Sequence, residues 1–142
     1  VDDTPVDFAQ ARSTGIRHSQ PTEEYVMYVD GFVLPVPRDN LTAYRRMARK
    51  AGKIWREHGA LSYVECVEDD VQPGKSTSFP QSVKLKPGEV VVFAWATYRS
   101  RKDRDRVVAK VMNDPRLQMD MQAMPFDGKR MFWGGFKSFV ML

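Results

Sequence analysis

The side chains in this chain that could do chemistry are few, and their spacing limits what they can do. The single cysteine, Cys66, lies in "GALSYVECVEDD" (59–70), with Glu65 before it and Glu68, Asp69 and Asp70 after it. A nucleophilic thiolate needs a nearby base or positive charge, whereas neighbouring carboxylates raise a thiol's pKa. Cys66 is therefore expected to be a small core residue on a strand. The two histidines are His18 and His58. Neither has a His, Asp or Glu at a recognisable ligand spacing, so no metal and no cofactor are expected. His58 falls near the end of a helix, where the dipole favours a protonated imidazole.

Asp30, Glu65 and Glu68 are carboxylates on otherwise apolar strands. Enclosed in a dimer cavity, Asp30 or Glu65 would have a raised pKa and could act as a general base or ligand anchor. The favoured reading is structural, a salt bridge or hydrogen bond to Arg130, Lys129 or a loop amide. Tyr28, Phe32, Phe93, Trp95, Phe132 and Trp133, with Cys66, are candidates to line a pocket for a flat apolar ligand, or else to fill a core.

The elements that must position these residues follow from periodicity. In "YVMYVDGFVLPVP" both alternating sets are mostly apolar, which predicts a strand covered on both faces and ended by Pro35 and Pro37. Asp39 or Asn40 can cap a helix running to about Glu57 and stopped at Gly59. At about 100° per residue, Leu41, Tyr44, Met47, Ala48, Ala51, Ile54, Trp55 and His58 share one half of it. Arg45, Arg46, Arg49, Lys50, Lys53 and Arg56 share the other.

The Cys66 strand follows, and then a long irregular connection over 70–88 with one helical turn around Pro80 to Lys84. "EVVVFAWATY" is a third strand, apolar on both faces. Ser100 and Asp103 resemble a capping box opening a second helix, with Val107, Val108, Val111 and Met112 as its buried stripe. Asp114 and Pro115 can start a further short helix carrying Leu117, Met119, Met121 and Met124. "KRMFWGGFKSFVM" is the last strand.

The order strand, helix, strand, strand, helix, strand predicts an α+β, ferredoxin-like βαββαβ fold with a four-stranded antiparallel sheet and both main helices on one face. Strands apolar on both faces need a second covering layer, and the sheet of an identical subunit supplies one. A homodimer closing as a dimeric α+β barrel is therefore expected. Residues 1–24 read as a polar N-terminal extension, anchored through Val6, Phe8 and Ile16, and 25–142 as a single domain.

A length of 142 residues suits one domain with its own core, and one cysteine excludes an internal disulfide. With no apolar run of membrane-spanning length and no signal-peptide pattern, the protein is expected to be soluble and cytoplasmic. The net charge of +4 is too modest an excess to imply an anionic partner.

From Tyr25 onward the chain resembles the DUF1428 family, the YbaA-like bacterial proteins of unknown function. The resemblance rests on "YVDGF" at 28–32, "GAL" at 59–61, "VEC" at 64–66, "DV" and "GK" at 70–75, and "DPR" at 114–116. Its most specific part is "MPFDGKRM" with "GGF" at 124–136. The resemblance implies the dimeric α+β barrel superfamily and carries no catalytic residue with it.

The expectation is thus a homodimer that binds a small, partly apolar molecule in a cavity near the dimer interface. Were it an enzyme, the chemistry would be cofactor-independent oxygenation or proton abstraction, with Asp30 or Glu65 as base. The alternative is a non-enzymatic protein binding RNA or an acidic partner through Arg45, Arg49 and Lys53 of the first helix. Without an interleaved aromatic platform, that basic face reads as a solvated surface, and nucleic acid is not expected.

Overall fold

The computed structural model describes residues 26–118 and 123–142. The elements are β1 (Tyr28–Pro37), α1 (Leu41–Glu57), β2 (Ser62–Val67), the short α2 (Phe79–Ser82), β3 (Glu89–Tyr98), α3 (Arg101–Met112) and β4 (Phe132–Lys137). The sheet is antiparallel with strand order β2-β3-β1-β4. This is the ferredoxin-like βαββαβ arrangement expected from the sequence. The extension at 1–24, with His18, and Met119 and Met121 lie outside the described residues. No helix among the described residues is long and apolar enough to cross a membrane.

Even-numbered residues of β1 and β3 and odd-numbered residues of β2 point toward the helices. There Leu34, Val36, Val90 and Val92 pack with Tyr44 and Ala48 of α1, while Tyr28, Ala96 and Tyr98 pack with Val107 and Val111 of α3. Gly52, buried in α1, lets the helix lie against the Tyr63 ring of β2, because a Cβ there would stand 2.5 Å from the ring. α1 ends at Glu57 with His58 as its C-cap, and Gly59 follows with a φ of +121° that suits glycine. Ser100 Oγ accepts from the Asp103 amide at 3.0 Å and opens α3, as the sequence predicts.

Two expectations are corrected, whereas β1 ends at Pro37 as the sequence predicts, running through Pro35. The Arg38 amide donates to Gly88 O, so even-numbered amides of β1 face β3 and odd-numbered positions face the opposite side. On that side the pairing with β4 ends at Val33, so Pro35 and Pro37 remove no ladder hydrogen bond. Asn40 occupies the N-cap position of α1 without a side-chain cap; its Nδ2 instead donates to Pro125 O at 3.1 Å. Finally, Cys66 is exposed rather than core, because β2 is an edge strand whose even-numbered residues face away from the helices.

The second covering layer is supplied in part by the chain itself. Val83, fully buried, and Leu85 from the 70–88 connection pack on Val33 and Val91, and Phe79 meets Phe93 edge-on at 5.8 Å. Among the described residues nothing covers the remainder of that face, although Thr97 at its edge is buried.

Candidate functional site

On the helix side, Asp30 is 1% exposed and receives Arg104 Nη1 at 2.9 Å. The Trp55 indole donates to Tyr98 Oη at 2.9 Å, and the Tyr98 hydroxyl faces the Asp30 carboxyl. Arg104 lies 5.0 Å over the Tyr28 ring. Burial pushes the Asp30 carboxyl above its ordinary pKa, opposed by the Tyr98 hydroxyl and the Arg104 charge. The salt-bridge reading of Asp30 thus holds in kind, with Arg104 as partner rather than Arg130 or Lys129. Arg130 instead clamps Glu89, at 2.6 Å, and Asp127, at 2.9 Å.

Glu65 has no cation partner among the described residues. Tyr44 Oη donates to its Oε1, and Tyr63 Oη donates to its Oε2 at 2.7 Å. Burial, reinforced by the Glu65 charge, pushes both phenols well above their ordinary pKa, so they stay protonated. This trio lines a cleft of about 620 Å³ between α1 and β2, together with Leu41, Val67 and Val92 and the rim residues Arg45 and Arg49.

His58 closes a separate cluster, with Nε2 at 2.8 Å from Asp114 Oδ2. Hydrogen bonds from Arg116 and then from His58 hold the Asp114 carboxyl well below its ordinary range. Among the described residues no group of three or more His, Cys, Asp or Glu could hold a metal ion.

The open face of the sheet is a grid set by strand register. One row runs Ser62, Thr97, Val29, Phe136; the next Val64, Trp95, Gly31, Gly134; the third Cys66, Phe93, Val33, Phe132. Gly31 and Gly134 lie side by side in the middle row, and a Cβ built on Gly31 meets nothing within 4 Å. The backbone is bare over Gly31, whereas the Phe136 ring lies over Gly134, 3.5 Å from where a Cβ would stand; Trp95, Phe93 at 42% exposure, Phe132 at 47% and Phe136 at 66% surround the pair.

The pocket candidates therefore do not form one set. Phe93, Trp95, Phe132 and Cys66 share the open face, whereas Tyr28 and Phe32 lie on the helix side, Phe32 stacked with Trp133 at 6.4 Å. Asp30 and Glu65 also point to the helix side, so neither reaches a cavity over the open face, and their role there as a base is set aside. Sequence reasoning missed Tyr44 and Tyr63 as partners of Glu65. Tyr63 and Glu65, two apart on one strand, necessarily share a face, and a phenol on the apolar stripe of a helix needs a hydrogen-bond acceptor.

Residues 27–128 match the family described as "Protein of unknown function (DUF1428)". The chain is 50% identical over 113 residues to "Uncharacterized protein YbaA" of Escherichia coli K12, covering 80% of this chain and 97% of that protein, and equally similar to YbaA of Shigella flexneri. A solved structure, "De novo designed protein Foldit4", is 14% identical with a TM-score of 0.39, covering 81% of this chain and 99% of that one, too remote a likeness to carry an argument.

Proposed function

Because the chain belongs to the DUF1428 family of proteins of unknown function, its role must be read from its own surfaces, and we propose that it is a small-molecule-binding homodimer. Two copies pack open sheet against open sheet, and a flat apolar molecule lies over the Gly31 backbone between Trp95 and the Phe136 ring that covers Gly134. The single observation that carries this reading is the glycine pair. Glycine weakens a strand interior, and it marks places where a ligand or another chain approaches the backbone closely. Here two occur side by side, on a central strand and its neighbour, within a ring of exposed aromatic side chains. A monomer seldom leaves so apolar a face to water, and an identical face is a self-complementary cover.

Native mass spectrometry of freshly purified wild type and of Gly31→Val tests this. The added side chain has room in the single chain, so the variant folds and fills the gap. Wild type is expected as a dimer that releases a stoichiometric small molecule on denaturation, and the variant as a dimer without it. A wild-type dimer carrying nothing would mean that partner side chains fill the gap, overturning ligand binding. A monomer would overturn both parts.

A further inference from the structure

A second binding site is written on the opposite side of the sheet. Glu65 is a half-buried carboxylate held by two phenol hydroxyls, with no cation among the described residues to balance its charge. Its two tyrosine partners donate their only protons to it, so the floor of the α1–β2 cleft presents acceptors alone: the remaining carboxylate lone pairs and two phenol oxygens. A ligand group that satisfies this floor must be a donor, and a cation satisfies it best.

The rim has the opposite character. Arg45 and Arg49, one helical turn apart, line the same cleft, and neither is paired with a carboxylate among the described residues. Besides these charged and phenolic groups the cleft is lined by Leu41, Thr42, Ala48, Cys66, Val67 and Val92, a mostly apolar set that suits the side chain of a ligand whose two charges sit at one end. The volume of about 620 Å³ suits a small molecule.

We propose that this cleft binds a small aliphatic zwitterion of amino-acid type, its ammonium group on Glu65 and its carboxylate between Arg45 and Arg49. The site lies on the helix side of the sheet and does not depend on the dimer or on the glycine gap.

The test is isothermal titration of the full chain with three probes of one skeleton: leucine, 4-methylpentanoate, which lacks the ammonium, and 3-methylbutylamine, which lacks the carboxylate. Leucine is expected to bind at least about tenfold more tightly than either analogue, since each loses one charge-assisted contact. Glu65→Gln and Arg49→Gln should each weaken leucine by at least about tenfold. Arg49 is exposed, so its variant keeps the fold even if the Glu65 variant does not. Gly31→Val should leave leucine binding unchanged, which separates this site from the open face. No leucine binding at millimolar concentration, equal binding of all three probes, or an Arg49→Gln variant that binds leucine as wild type does would overturn the proposal.

Discussion

Arg104 of α3 donates to Asp30 of β1 across a 2.9 Å contact, and through it α3 is tied to the centre of the sheet. Both side chains are largely removed from water, and Arg104 also covers the Tyr28 ring. Removing the cation would strand a buried carboxylate. Arg104→Met is expected to lower unfolding free energy by roughly 3–5 kcal/mol in urea titrations. Asp30→Asn should cost less, because the remaining guanidinium can reach solvent more easily than the carboxylate can.

The ionisable groups predict two opposite pH dependences. Asp30 holds its proton more tightly in the folded chain than in the unfolded one, because burial raises its pKa. Its contribution is therefore greatest in acid and is lost as pH rises from about 4 through the folded value. Measured against Asp30→Asn, wild type should lose relative stability over that rise.

Glu89 and Asp127 behave in reverse, since hydrogen bonds from Arg130 hold both below their ordinary range. Their contribution is present above about pH 4 and is lost as pH falls through the folded values. Arg130→Gln should destabilise the chain at neutral pH, and the gap to wild type should close on acidification. A gap that is constant from pH 7 to pH 3 would mean that the clamp carries no net stability.

Glycines in this fold respond to substitution according to what faces them. Alanine is the better helix former, yet Gly52→Ala is expected to destabilise by about 1–3 kcal/mol, because its methyl group would meet the Tyr63 ring. The displaced ring would also loosen the Tyr63 hydrogen bond to Glu65. Gly31→Ala, with open space around the new atom, should leave the melting temperature unchanged or raise it. Thermal melts of the two variants side by side check this, and equal effects would contradict it.

The order and sides of the main elements were legible from period alone, because α1 has a sharply divided face and β1 and β3 carry apolar residues at both parities. The Ser100 cap was legible because its geometry is local. What was not legible depended on register and position in the sheet. Pro35 and Pro37 rightly mark the end of β1, but nothing local reveals why the strand tolerates Pro35, which is that β4 stops pairing at Val33. Cys66 read as core because a strand's period cannot say whether it is an edge. Asp30 and Glu65 were recognised as unusual, but their partners Arg104 and Tyr44 come from other elements, beyond the reach of spacing. The glycine pair at 31 and 134 appears only once β1 and β4 are aligned.

The measurement that tests the central claim most directly is sedimentation equilibrium of wild type beside Phe136→Asp. Phe136 lies on the open face and is 66% exposed in the single chain, so a charge there costs the subunit little and the paired faces a great deal. Wild type should sediment at twice the chain mass of 16.3 kDa and the variant at 16.3 kDa. Wild type at the single-chain mass, or a variant that remains dimeric with undiminished affinity, would contradict the packing of open sheet on open sheet.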